Sequence, residues 1–126
     1  MIEIKTAKNY AGTYNEIVDQ GQKEVNSGYM PELRPFDKDF STYDTVYLGT
    51  PVWWYTYAPA VKTLLNDNLF DGKKIYPFAT NGDWIGHTFE DIKKACPNSD
   101  VQKGINIRFD EARLVTKKEE IMNWIK

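Results

Sequence analysis

Two stretches of this 126-residue chain carry residue types suited to holding a flat ligand. The first is Gly49-Thr50-Pro51-Val52-Trp53-Trp54-Tyr55-Thr56-Tyr57. The second is Thr80-Asn81-Gly82-Asp83-Trp84-Ile85-Gly86-His87. Each brings tryptophan, glycine and small hydroxyl side chains. Indoles stack on a π-face, while backbone N–H groups of glycine-bearing turns donate to ring carbonyls and nitrogens. The bland alternative for Trp53 and Trp54 is burial, as a core anchor and a cover for a helix. It is weaker for both at once, because adjacent residues of an extended loop point in opposite directions.

The other reactive side chains offer less. His87, the one histidine, can donate to an anionic cofactor or poise a proton transfer. No carboxylate partner is evident for it in sequence, so a solvated residue in the first turn of a helix is the preferred reading. Cys96 falls on the apolar face of a helical stripe and reads as a buried, inert thiol. Asp110 and Glu111 are adjacent acids in a loop. With one histidine and no His/Cys cluster, no metal site is expected. There is no Gly-x-Ser-x-Gly elbow and no Walker loop.

Composition bounds the rest. The length fits a single domain, residues 1–126, and 41% hydrophobic content suffices for one core. A net charge of −2 and like-charge runs of no more than two lysines argue against nucleic acid as a partner. No apolar run approaches a membrane span, and the start has no signal-peptide pattern. A single cysteine cannot form an internal disulfide and suits a reducing compartment, so a cytoplasmic location is expected.

The elements that position the two stretches follow from periodicity. Ile2–Lys5 fits the tail of a strand. Thr13-Tyr14-Asn15-Glu16 has the form of a capping box, followed by Tyr14, Ile17, Val18, Gly21 and Val25 at helical spacing and closed by Gly28. Residues 29–41 form a long connection with a functional or edge-covering role. Thr45–Gly49 reads as a strand buried on both faces. Pro59 opens a helix whose inner stripe is Ala58, Val61, Leu64 and Leu65. Lys74–Thr80 reads as a strand in spite of Pro77, which removes a ladder donor. Thr88 is placed to cap a helix with Phe89, Ile92 and Cys96 inside. Val101–Ile107 is the last strand, bent at Gly104. Thr116-Lys117-Lys118-Glu119 forms a second capping box before Ile121, Trp124 and Ile125. This alternation predicts an α/β three-layer sandwich around a mostly parallel sheet of four strands. Both aromatic stretches then leave the carboxyl ends of consecutive strands, where ligands bind in such sheets.

Several of these residues resemble a known family. Tyr43-Asp44-x-Val46-x-Leu48-Gly49-x-Pro51-x-Trp53-Trp54, then Ala58-Pro59, Gly72-Lys73-Lys74, Pro77-Phe78-x-Thr80-x-Gly82, Cys96-Pro97-x-Ser99 and Trp124 are similar to the short flavodoxin-like flavoproteins. The resemblance implies a flavodoxin-like fold with FMN at the carboxyl ends of the strands. By position, Thr50, Pro51, Val52, Trp53 and Trp54 match one flavin loop; Thr80, Asn81, Gly82, Asp83, Trp84 and Gly86 match the other. It further implies electron transfer, or hydride transfer from NAD(P)H to a quinone-like acceptor, with the flavin carrying the redox chemistry. In that family a strand, a Thr-Gly-Asn-Thr phosphate loop and a helix, roughly 30 residues, precede the part matching Met1–Lys5. This sequence has none of them, which leaves open whether the chain is an enzyme. Three outcomes are open: a truncated gene product, a partner chain that fills the gap by swapping or dimerisation, or a shift of the Ile2–Ile4 strand to pair with the Val46 strand and close a four-stranded sheet; a homodimer or larger species is expected. The competing function is a non-catalytic flavodoxin-like module with weak or no flavin binding, used for protein interaction. A third keeps the pocket for another flat aromatic ligand.

Overall fold

A computed structural model describes residues 2–36, 39–66 and 68–125; Asp37 and Lys38, which the sequence assigns to the long connection, lie outside them. The fold is an open, mostly parallel α/β sheet with helices on both faces. In chain order the elements are α1 (Tyr14–Ser27), β1 (Thr45–Trp53), β2 (Thr56–Tyr57), α2 (Pro59–Asn66), β3 (Lys74–Asn81), α3 (Thr88–Ala95), β4 (Asp100–Val101), β5 (Ile105–Asp110), β6 (Arg113–Leu114) and α4 (Lys118–Trp124). Strand order is β2-β1-β3-β5-β6, with β4 also paired to β3. The β1–β3, β3–β4 and β3–β5 ladders are parallel, whereas β2 and β6 fold back antiparallel at the rims.

Side chains alternate across a strand, and the two faces of this sheet are covered unequally. Leu48 from β1 and Ile75 from β3 face α2 and α3, where they join Val61, Leu64, Leu65, Ile92 and Cys96 in the core. On the other face Tyr47 and Tyr76 stack at 5.0 Å, and Trp124 of α4 meets both rings edge-on. Tyr47 is 41% exposed, so β1 is buried on one face rather than on both: the short α4 spans too little of the sheet to cover it. Gly49 is required under this layer, since a Cβ there would stand 2.2 Å from the Phe78 ring.

Pro77 sits buried in the central strand, opposite Leu48. The chain solves its missing donor by breaking the neighbouring strand. The Ile75 carbonyl accepts from Gln102 N–H at 2.8 Å, so residue 75 turns its polar groups toward β4. Residue 77, two positions on, turns the same way. There the chain runs through Gln102–Gly104, between β4 and β5, where no ladder pair forms. The expected strand bent at Gly104 is therefore two strands, and Phe89 packs on the glycine that parts them.

Helix α1 starts and stops as its sequence predicts. Thr13 Oγ1 accepts from Glu16 N–H at 3.2 Å, and Gly28, at φ +69°, ends the helix with Tyr29 N–H donating to Glu24 O. Its inner face is shifted: Tyr14 is 81% exposed while Gly21 and Glu24 are buried. The other two capping threonines do something else. Thr88 is the first residue of α3 and donates back to Ile85 O at 2.6 Å, with His87 in the cap position. Thr116 Oγ1 accepts from Arg108 N–H and donates to Asn106 O, pinning the β6 return to β5, and Lys117 precedes α4. Both hydroxyls are engaged by other backbone groups instead.

The segment at Ile2–Lys5 is not a strand of the sheet. Thr6 bridges Leu33 antiparallel, with Ala7 N–H to Glu32 O and Arg34 N–H to Lys5 O both at 2.7 Å. Its backbone pairs there and not with β1. Ile4, Leu33, Phe36 and Phe40 pack against the core, so the long connection covers part of it.

Candidate functional site

The register Pro51↔Thr80 puts the two aromatic stretches side by side at the carboxyl ends of β1 and β3. The first is a tight hairpin. Val52 pairs with Tyr57 and Trp53 with Thr56, leaving Trp54 and Tyr55 as a two-residue turn at φ +49° and +71°. Two left-handed residues match the twist of a hairpin, but glycine or asparagine normally stand there. Here packing holds them. Trp54 Nε1–H donates to Val18 O of α1 at 3.0 Å. The Trp53 ring lies on Gly21 of α1, where a Cβ would come within 3.1 Å of it, and meets Tyr10 edge-on at 5.1 Å. Both indoles are thus turned to α1 as the hairpin's anchors.

Tyr55 is turned outward instead. Its ring meets Trp84 of the second stretch at 5.0 Å, tilted by 54°. Tyr55 is 50% and Trp84 62% exposed, an aromatic pair standing open at the rim. The two stretches are locked together behind it: His87 N–H donates to Tyr55 O at 2.8 Å, and Gly86, at φ +59°, passes under the Tyr55 backbone with no room for a side chain.

The remaining assigned residues divide by depth. Thr50 is 2% exposed; its Oγ1 accepts from Ala58 N–H at 3.1 Å and donates to Pro51 O, so it ties the hairpin to the start of α2. Pro51, Gly82 and Asp83 are exposed, with Val52 and Thr80 half-buried between them. Asn81 Nδ2–H donates to Asn106 Oδ1 on β5, whereas Asn81 Oδ1 is buried with no partner among the described residues. The backbone N–H groups of residues 82–86 also donate to no acceptor among the described residues. Uncommitted backbone donors, an orphaned acceptor and an open aromatic pair are the kinds of group that a flat heterocycle with ring carbonyls and an N–H would use.

One partner was missed from sequence. His87 Nδ1 is hydrogen-bonded to Asp91 Oδ2, and Thr56 Oγ1 donates to the same oxygen at 2.6 Å. The spacing of four residues at the head of a helix was the available signal. These residues border a cavity of about 220 Å³ together with Tyr29, Tyr57 and Lys62. Burial first, then the negative charge of Asp91, pushes the Tyr57 phenol above its ordinary pKa. Cys96, 5% exposed, is raised chiefly by burial, which fits an inert thiol.

The profile of the flavodoxin family matches residues 5–126. No curated protein matches the chain by sequence at a significant level. Among solved structures, a protein of Bacteroides eggerthii, classed provisionally as a flavoprotein, is 26% identical with a TM-score of 0.77, over 97% of this chain and 76% of its own. One from Bacteroides uniformis, classed the same way, is 24% identical with a TM-score of 0.79, over 97% and 78%. A flavoprotein of Lactobacillus acidophilus solved in complex with FMN is 20% identical with a TM-score of 0.71, over 98% and 78%.

Proposed function

We propose that this chain, which belongs to the flavodoxin family, binds FMN by its isoalloxazine ring at the Tyr55–Trp84 rim and works as an FMN-dependent electron-transfer protein or NAD(P)H:acceptor oxidoreductase. The observation that carries this is the donor row at residues 82–86 beside the exposed Tyr55–Trp84 pair. Loop amides donate to the ring carbonyls, and the buried Asn81 Oδ1 offers an acceptor to a ring N–H, which removes the desolvation cost of an unpaired oxygen. Trp53 and Trp54 act from behind by fixing the hairpin to α1. Tyr55 and Trp84 touch each other at 5.0 Å, so the ring stacks on an outer face; a sandwich would need about 7 Å, two contact distances of about 3.5 Å. When bound, FMN supplies the one- or two-electron chemistry; the protein supplies orientation and hydrogen bonds.

The helix starts near this rim are poor phosphate sites. Helix α3 carries Glu90 and Asp91 in its first turn, and at α2 the Ala58 N–H is bound to Thr50. Negative side chains at a helix N-terminus oppose a second anion. The ring therefore carries most of the affinity. Titrating the purified protein with FMN and with riboflavin, followed by flavin fluorescence, tests this. Both should bind, with affinities within about tenfold, or about 1.4 kcal/mol. A lack of binding by either flavin would refute the proposal; a preference for FMN of several hundredfold would refute its ring-dominated form.

A further inference from the structure

We propose that the outer edge of β1 is an interface with a second copy of this chain, the two β1 strands pairing antiparallel about a two-fold axis at Tyr47. The hydrogen-bond pattern shows which backbone groups face that way. Lys74 N–H donates to Asp44 O at 3.0 Å, in the register Thr45↔Lys74. Asp44, Val46, Leu48 and Thr50 therefore turn their polar groups toward β3, while Thr45, Tyr47, Gly49 and Pro51 turn theirs outward. β2 occupies the outer edge only at its carboxyl end, where Val52 pairs with Tyr57 and Trp53 with Thr56. Short of that end, the N–H groups of Thr45 and Gly49 donate to no acceptor among the described residues. Residues 5–7 do not close the edge, because they pair with residues 32–34.

An open edge is a template for another strand, and proteins blunt such edges with charge, proline or a bulge. β1 has no charged residue from Thr45 to Trp53. Its one proline, Pro51, faces outward and has no N–H to offer. Pairing is thus confined to Thr45–Gly49, about 16 Å of strand at about 3.3 Å per residue. That window is symmetric about Tyr47. A second copy running antiparallel sets Thr45 of each chain opposite Gly49 of the other, each pair exchanging two hydrogen bonds. It also brings the two Tyr47 rings together on the axis. Such pairing sets a strand against itself, where a charge would meet its like near the axis; Thr-Val-Tyr-Leu-Gly carries none.

The face beside this edge argues for a second copy rather than a lone peptide. Tyr47 is 41% exposed and stacks on Tyr76 at 5.0 Å, on the face that α4 leaves partly open. Pairing joins two such aromatic layers into one, across a sheet in the order β3-β1-β1-β3. A single extended peptide would satisfy the edge and leave the rings in water. The joined strip is short, so the interface falls in the small class under about 1,200 Å², and the dimer should dissociate on dilution through the micromolar range. Antiparallel pairing sends the two Tyr55–Trp84 rims to opposite ends of the joined sheet, so this proposal and the flavin proposal stand or fall separately.

Sedimentation velocity over that range is the test. The native chain should pass from monomer to dimer as its concentration rises. Tyr47→Lys places two ammonium groups near the axis, and Thr45→Pro removes an outward N–H that β3 does not use. Each should stay monomeric where the native chain is dimeric. Tyr47→Cys gives a reading that needs no loss of association. The Cα atoms of a hydrogen-bonded antiparallel pair lie about 5.5 Å apart, within reach of a disulfide, and the native Cys96 is buried. Copper–phenanthroline oxidation should cross-link Tyr47→Cys and spare Met122→Cys, a control at an exposed position of α4. A native chain that stays monomeric up to about 1 mM would overturn the proposal. So would a dimer that survives in both Tyr47→Lys and Thr45→Pro, or equal cross-linking of the Tyr47→Cys and Met122→Cys variants.

Discussion

Replacing Gly86 by alanine should break the joint on which the site depends. Gly86 has φ +59°, and an added Cβ would lie 2.3 Å from the Tyr55 carbonyl oxygen and within 2.7 Å of two further Tyr55 backbone atoms. These are main-chain atoms and cannot rotate aside. A left-handed alanine costs about 1 kcal/mol before any contact is considered. Relieving the contact to about 3.5 Å requires the hairpin to retreat by about 1 Å. That retreat breaks the His87 N–H···O bond to Tyr55, now 2.8 Å, worth about 0.5–1.5 kcal/mol. With residual strain the loss is about 2–4 kcal/mol. Gly72→Ala is the internal control: φ there is +79°, yet nothing lies within 4 Å of its Cβ, so only the left-handed cost of about 1 kcal/mol applies. Urea denaturation followed by tryptophan fluorescence compares the two variants. Gly86→Ala should be the less stable by at least about 1 kcal/mol and should bind FMN more weakly, because the Tyr55–Trp84 pair loses its support. Equal losses in both variants would refute the account of the joint.

Other expectations concern the anchors and the pH dependence. Trp54→Phe removes the indole N–H that donates to Val18 O while keeping the ring; it should cost about 0.5–1.5 kcal/mol in denaturant and loosen the hairpin, seen as faster amide exchange at Tyr55. Alkaline pH should destabilise the fold. The pKa of Cys96, Tyr57 and Tyr10 is raised, each chiefly by burial, with the Glu24 hydrogen bond adding to the effect at Tyr10. A raised folded-state pKa gives stability that is whole below the unfolded value and lost as pH rises above it. The unfolding midpoint should therefore fall from about pH 8.5, where a free thiol titrates, and faster above about pH 10. In Tyr10→Phe the steeper limb should be shallower; an identical limb would count against it.

Much of the fold was legible because it rests on periodicity. The helical stripes at Val61, Leu64 and Leu65 and at Ile92 and Cys96 are the core, and Thr13 and Gly28 bound α1 as local sequence requires. What escaped were features settled by tertiary partners. Thr88 and Thr116 have the right spacing to cap helices, but their hydroxyls bond to other backbone groups. Ile2–Lys5 alternates like a strand, yet the neighbouring residues 5–7 pair with Glu32–Arg34 outside the sheet. Tyr14 continues the stripe of α1 in sequence, but the helix is rotated so that Gly21 faces Trp53 and Glu24 is buried. At the carboxyl ends of β1 and β3, the two aromatic stretches lie side by side as the strand order implied. Which aromatics face outward depended on the hairpin turn, which sends Trp53 and Trp54 to α1 and Tyr55 to Trp84. The His87–Asp91 pair needed only the helix start to be placed at His87.

The central claim is that a flavin ring stacks at the Tyr55–Trp84 rim, and Trp84 is the residue that tests it most directly. At 62% exposure it can be replaced without disturbing the core. FMN fluorescence should be quenched on titration with the native protein. Trp84→Ala, with an unchanged unfolding midpoint, should bind about 3–10-fold more weakly, the worth of one aromatic contact. An equal dissociation constant in the two proteins, or no quenching by the native chain, would contradict the account.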